Sequence, residues 1–231
     1  MREARSRFVV AGTRNTMIQI TRSGEVIAGT TTQLEHLSLQ FDQQHYVRLT
    51  EFLPPKLLNL IQNQIKQTDF YERIHEGIGS NKELCMQTGI AVSLLHFLLN
   101  NQSLFQIVQA VTRCEQIGSF EGRMYRVIPG CGHHDSWHDD MVEHRLVALS
   151  INLSEEIFCD GTLQVRDRNS KQILNEVANV GFGDAVIFRL AHHLEHRVTE
   201  VTGKASKTAF AGWFKSQPSF LSLLKNSSNY Q

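Results

Sequence analysis

GSFEGRMYRVI, residues 118–128, is where the chain changes its texture. Upstream, apolar residues recur at helical spacing; from Gly118 onward they fall into short β-prone runs separated by turn residues. The runs are Arg123–Ile128, Leu146–Leu153, Thr162–Arg166, Ala185–Phe188, Arg197–Val201 and Thr208–Phe214. Such a series predicts a sandwich or barrel. Working back from Gly118, Leu104, Ile107, Val108 and Val111 keep one face of a helix, Ile90 to Leu98 forms another, and Asn100-Asn101 breaks the two. Pro54-Pro55 opens a third helix over about 55–67, with Leu57, Leu58, Ile61 and Ile65 on one stripe and proline suited to a first turn. The half before Gly118 therefore reads as mainly helical. Residues 1–40 read as an arm or hairpin, with Met17-Ile18-Gln19-Ile20 and Val26-Ile27 flanking Ser23-Gly24. The organisation expected is an arm (1–40), a helical support of the same domain (41–117), a β core (118–217) and a tail (218–231).

The 231 residues suffice for one sizeable core, and 41% apolar with 20% charged residues is ordinary globular usage. Lys plus Arg and Asp plus Glu each total 23, so no net field draws the chain toward nucleic acid or an anionic membrane. A small-molecule or peptide substrate is expected, with the oligomeric state unreadable. Cys85, Cys114, Cys131 and Cys159 form no CxxC pair and read as reduced thiols. No apolar segment follows the arginines at 2, 5 and 7, and Ile90 to Leu99, interrupted by Ser93 and His96, is too short to span a bilayer. A cytoplasmic protein is expected.

Seven of the eleven histidines, at 133, 134, 138, 144, 192, 193 and 196, fall in two clusters. In the first, His138-x-Asp140 places an imidazole and a carboxylate on one face if the segment is extended. A histidine from a distant strand would complete a two-His, one-carboxylate set, which leaves metal positions open and suits iron(II). His133-x-Asp135 is the alternative pair. The spacing of Asp140 from Arg145, where the next strand begins, and Trp137 as an apolar wall favour His138-x-Asp140. The second cluster offers His196, or, read as a helix, a zinc pair His192 and His196 at i, i+4. That reading lacks the glutamate base of metalloproteases.

The order His138-x-Asp140, Gly183-Asp184-Ala185-Val186-Ile187-Phe188, His196-x-Val198 and a basic residue before Trp213 resembles the 2-oxoglutarate and iron(II)-dependent dioxygenase superfamily, in particular its prolyl 4-hydroxylase-like branch. The resemblance covers roughly residues 120–215. It implies a double-stranded β-helix, that is a cupin-like jelly roll, supported by α-helices. It implies Fe(2+) held by His138, Asp140 and His196, 2-oxoglutarate as co-substrate, and ascorbate as a candidate reductant. It asks for a cation on a late strand to meet the distal carboxylate of 2-oxoglutarate. In the family this residue stands six positions before an aromatic, which selects Lys207 over Lys204. Asn152, standing where a tyrosine often shares that role, and Tyr125, on the strand leading into the loop, are further co-substrate candidates. The activity implied is hydroxylation of a C–H bond in a peptidyl, prolyl-like or small-molecule substrate, with release of succinate and CO2. The competing class is a cupin-like metal-dependent hydrolase or a non-catalytic binding protein on the same jelly roll.

Overall fold

A computed structural model describes residues 18–76, 80–142 and 144–216. Residues 1–17 of the expected arm and the tail 218–231 lie outside the described residues. In chain order come β1 (Gln19–Ile20), β2 (Val26–Ile27), α1 (Thr31–Gln44), β3 (Tyr46–Leu49), α2 (Pro55–Ile65), β4 (Phe70–His75) and β5 (Asn81–Met86). They are followed by α3 (Ile90–Leu99), α4 (Gln102–Thr112), β6 (Ser119–Val127), β7 (His134–Asp135), β8 (Arg145–Asn152), β9 (Cys159–Asp160) and β10 (Leu163–Asp167). The chain then forms β11 (Ile173–Val177), β12 (Ala185–Arg189), β13 (Leu194–Val198), β14 (Val201–Thr202) and β15 (Lys207–Lys215).

The strands make two antiparallel sheets facing one another. The major sheet has the order β3-β12-β8-β15-β6-β5-β4, with β7 also pairing β5; the minor sheet is β11-β10-β13, and β1–β2 and β9–β14 are small separate ribbons. This is the double-stranded β-helix, mainly β with helices added in front of it.

Strand alternation divides the interior in two. On β8, Val147, Leu149 and Ile151 turn toward the helices, while Ala148 turns toward the minor sheet. On β12, Ala185 and Ile187 take the first side and Val186 and Phe188 the second. On β15, Phe210 and Phe214 join the helical side, packed edge-on against Phe105 and Phe120, which leaves Lys207, Ala209, Ala211 and Trp213 facing the barrel interior. The helical side is closed by Leu57, Leu58, Ile61 and Ile65 of α2, Leu95, Leu98 and Leu99 of α3, and Leu104, Val108 and Val111 of α4. Asn101, at the expected break, caps α4 by accepting from the backbone N–H of Ser103 and Leu104 at 2.8 and 3.3 Å.

Several expectations need correction. The boundary at residue 40 falls inside α1, which begins at a Thr30/Gln33 capping box and ends on left-handed His45. Its apolar stripe is thin, with Leu37 and Phe41 the large buried residues, so its periodicity is weak in sequence. The first half is mainly helical, as expected, but it also supplies strands the sequence did not show, β3, β4 and β5, of which β4 and β5 extend the major sheet beyond β6. β4 exposes residues on both faces, so it lacks the alternation by which a strand is read. α2 ends at Ile65 rather than 67.

Asp184, buried at the start of β12, fastens the edge strand β3 to the sheet. It accepts from Arg48 Nε and Nη2 at 3.0 and 2.7 Å and from the Glu51 N–H at 2.8 Å. Asp184→Ala should therefore lower the unfolding free energy by about 2 kcal/mol, the range for hydrogen bonds to a charged group. Urea denaturation checks this: an unchanged midpoint would mean that the β3 edge contributes nothing to global stability.

Candidate active site

The two histidine clusters are joined by the backbone. His138 and His196 form an isolated antiparallel bridge, with the His196 N–H donating to the His138 carbonyl at 2.7 Å and the His138 N–H to the His196 carbonyl at 3.0 Å. Their rings lie 4.3 Å apart between centroids. Asp140 arrives differently from the expected extended segment: its φ is 55°, and this left-handed turn, not strand parity, swings the carboxylate inward. Asp140 Oδ2 lies 3.6 Å from His138 Nε2 and 3.3 Å from His196 Nε2. One donor atom from each of the three residues falls within 4.8 Å of the others.

The donors are prepared for a metal. His138 Nδ1 is 2.6 Å from the Ser136 carbonyl; a carbonyl only accepts, so Nδ1 carries the proton and Nε2 faces the centre. Asp140 is held well below the usual carboxylate range, because the two imidazoles outweigh the burial that would raise it. His196 is pushed down by burial, which keeps it neutral. His138 is raised to about 9, since Asp140 and Asp135 outweigh the burial that would lower it. A metal entering here displaces that proton. Two imidazoles and a carboxylate match a ferrous ion that keeps open positions.

Asp140 is further fixed from the major sheet. Trp213 Nε1 donates to Oδ2 at 2.8 Å and Arg145 Nη1 to Oδ1 at 2.9 Å, with the Arg145 guanidinium stacked 3.6 Å from the Trp213 ring centre. Trp213 was legible only as an aromatic at a fixed spacing, and Arg145 only as a strand start; that both point at Asp140 depends on its turn.

The remaining candidates separate. Lys207 lies in the interior, its Nζ donating to the Gly161 carbonyl at 2.7 Å. Burial brings it down to about 8, partly offset by Asp135. Gly161 has a φ of 59°, and a Cβ there would come within 2.9 Å of Val201 and 3.1 Å of the Lys207 stem, so this glycine makes room for the lysine. Tyr125 also lines the cavity, its hydroxyl raised by burial and by Glu83. Asn152 does not: its Nδ2 donates to the Gly181 carbonyl and its Oδ1 accepts from the Ser154 N–H, both at 3.0 Å. Its amide holds the turn before β12 and is not part of the cavity lining. In the rival pair, His133 Nδ1 accepts from the Ile128 N–H at 2.9 Å and Asp135 accepts from the Val198 N–H at 2.8 Å, so both serve the loop framework. His192 and His193 are exposed on the turn between β12 and β13, and His196 lies on a strand, which removes the helical zinc pair.

These side chains line one cavity of about 650 Å³, in which the triad, Lys207, Tyr125, Arg123 and Glu83 all take part. The profile of the 2OG-Fe(II) oxygenase superfamily matches residues 122–215, a span that contains all three triad residues and Lys207. Residues 122–215 are a 2OG-Fe(II) oxygenase domain. Among solved structures, a prolyl-4-hydroxylase from Pseudomonas putida is 17% identical, with a TM-score of 0.57 over 80% of this chain and 99% of that one. A 2OG-Fe(II) oxygenase family oxidoreductase from Burkholderia pseudomallei is 13% identical, with a TM-score of 0.60 over 89% and 97%. A Trichoplax adhaerens prolyl hydroxylase in complex with a hypoxia inducible factor peptide fragment is 14% identical, with a TM-score of 0.60 over 87% and 94%. No curated protein matches the chain by sequence. The fold is thus that of the prolyl hydroxylases, and the family brings Fe(2+) and 2-oxoglutarate to an oxygenase site. The hydrolase and bare binding-protein alternatives fall with this match.

Trp213→Phe keeps the aromatic packing and deletes the N–H to Asp140. It should weaken ferrous binding about tenfold, the lower end for the loss of an outer partner of a metal ligand. Anaerobic competition against a chelator measures this; unaltered affinity would mean that Arg145 alone fixes the carboxylate.

Proposed function

We propose that His138, Asp140 and His196 hold Fe(2+), that Lys207 pairs with the distal carboxylate of 2-oxoglutarate, and that the enzyme hydroxylates a C–H bond of a peptidyl, prolyl-like or small-molecule substrate. The observation that carries this reading is the shared cavity, with the converged triad at one place and a buried lysine at another. Held there, iron with 2-oxoglutarate would supply an oxidising power that places one oxygen atom of O2 in the substrate C–H bond and the other in succinate, with CO2 released. The protein's own residues perform the remaining tasks. Trp213 and Arg145 orient Asp140, the Ser136 carbonyl fixes the His138 tautomer, and Val186, Phe188 and Leu163 keep the cavity wall apolar. A carboxylate drawn from water into such a place needs a cation, and Lys207 is buried in the wall of the same cavity that Tyr125 and Thr199 line. Ascorbate as reductant is carried from the family alone.

The peptide held by the Trichoplax protein supports a peptide or small-molecule substrate for this chain. The balanced charge supports a partner other than nucleic acid or membrane, and among the described residues no helix is long and apolar enough to cross a bilayer. Free cysteines at 85, 114, 131 and 159 support a reducing, cytoplasmic setting.

Lys207→Ala should raise the dissociation constant of 2-oxoglutarate roughly tenfold to a hundredfold, the equivalent of ~1.5–3 kcal/mol for a charge-assisted bond, with iron affinity nearly intact. Lys204→Ala should leave both unchanged. Anaerobic calorimetry decides, and an unaltered constant in Lys207→Ala would assign the carboxylate to another residue.

The pH dependence has a definite sign. Lysine is a cation below its pKa, so in the free protein the positive partner is present below about 8 and lost above it. The affinity for 2-oxoglutarate should be flat toward neutral pH and fall as pH rises through about 8. In the unfolded chain the ordinary lysine value is 10.5, so between about 8 and 10.5 the unfolded state binds more protons and this group makes the fold more stable as pH rises. Binding isotherms across pH 6.5–9.5, on the order of three units chosen to bracket that value, check the first statement; an affinity that rises with pH contradicts it.

A further inference from the structure

The wall that β4 and β5 add to the cavity carries charge that neither the triad nor Lys207 uses. Register places Arg73 opposite Glu83, and Cys85 opposite Tyr125 on β6, so Arg73, Glu83, Arg123 and Tyr125 share the inner face. Glu83 is buried. Arg123 Nε donates to Glu83 Oε1 at 2.6 Å, and Arg73 Nη1 stands 3.6 Å from the same oxygen. One carboxylate therefore faces two guanidinium groups, which leaves the cluster with one net positive charge. Arg123 donates through Nε alone, and its terminal amino groups make no hydrogen bond among the described residues. Burial works against its charge, but Glu83 outweighs that and raises its pKa, so it stays a cation at every accessible pH.

The cluster sits on the triad's side of the interior, away from Lys207. The Arg123 guanidinium is 6.0 Å from the ring centre of Trp213, whose N–H reaches Asp140. On the same pair of strands, Arg123 stands opposite Ala211 while Lys207 stands opposite Val127, four residues along, or about 13 Å at strand rise. Lys207 Nζ is turned to the Gly161 carbonyl and Arg123 to Glu83, so the two cations face different partners.

We propose that Arg73 and Arg123 bind a carboxylate of the substrate and so orient it beside the metal centre. The proposal rests on the reading of the triad and Lys207 given above. A planar guanidinium with free terminal donors matches a carboxylate in two parallel bonds. Glu83 holds the arginines in place and is already neutralised, so a cationic substrate group would meet net repulsion. A single net charge fits one carboxylate and leaves the second charge of a phosphate uncompensated. The carboxylate belongs either to a free amino acid or to a glutamyl or aspartyl residue of a peptide, and both present the same chemistry to the wall.

The test uses the iron-loaded enzyme with 2-oxoglutarate and without oxygen, titrated by calorimetry with paired probes. Free L-amino acids are compared with their carboxamides, and glutamate-bearing prolyl octapeptides with their glutamine twins. At least one carboxylate probe should bind tenfold or more tightly than its neutral twin, and R123Q and R73Q should each abolish the preference while leaving the 2-oxoglutarate constant unchanged. R73Q guards against misfolding, because its side chain is the more exposed partner and its loss leaves the Arg123–Glu83 pair intact. Preference among free acids identifies an amino-acid substrate, and preference among peptides identifies a peptidyl one. Neutral twins that bind as well, or no binding by any carboxylate probe, overturn the proposal. A weakened 2-oxoglutarate constant in R123Q together with an unaffected one in Lys207→Ala overturns both this proposal and the assignment of Lys207.

Discussion

The backbone bridge between His138 and His196 is the constraint on which the site depends. Asp135 and Asp140 belong to a long connection between β6 and β8, which touches the major sheet only where β7 pairs β5. Its two reciprocal hydrogen bonds to β13 pin that connection across the mouth of the jelly roll, together with Asp135 accepting the Val198 N–H two residues beyond His196. β13 in turn is set by its five-residue register against β10 in the minor sheet. The triad is thus assembled by main-chain pairing and one left-handed turn at Asp140. Backbone groups buried here must be paired in any case, so the folding requirement and the catalytic one coincide.

The second organising element is the alternation of β15. Thr208, Phe210 and Phe214 are buried on the helical side, so Lys207, Ala211 and Trp213 necessarily face the interior, one toward Gly161 and the last toward Asp140. A shift of one residue would exchange the phenylalanines with the lysine, turning two large apolar groups toward the cavity and burying a cation among α3 and α4. The helices therefore do more than cover the sheet. Phe105 of α4 against Phe214, and His96 of α3 against Phe210, fix the register that points Lys207 inward.

What was legible in the sequence follows from which forces are local. Strands with one buried face, such as β8, β12 and β15, show their period directly, and the stripe of α2 is unmistakable; the core and its topology class could be read from them. The pairing of His138 and Asp140 was readable as a motif, although the reason offered, strand parity, is not how the structure achieves it. Sequence could not show α1, which buries few large residues, nor β4, which is wet on both faces. Asn152 was singled out through the family resemblance, as the residue standing in place of a tyrosine; it is a turn brace, and an amide that bonds locally looks the same in sequence as one held free for a ligand. The Arg73–Glu83–Arg123 cluster spans fifty residues of chain and becomes visible only through the pairing of β4, β5 and β6.

In the proposed site His138, Asp140 and His196 form the metal centre and 2-oxoglutarate joins the metal there. The most direct measurement is the visible absorption of the protein titrated with ferrous iron and 2-oxoglutarate under nitrogen. A charge-transfer band that grows to one equivalent of iron, requires both additions, disappears in His138→Ala and in His196→Ala, and persists in His133→Ala is the predicted result. A band lost in His133→Ala and retained in His138→Ala would contradict the claim and move the centre to the other His-x-Asp pair.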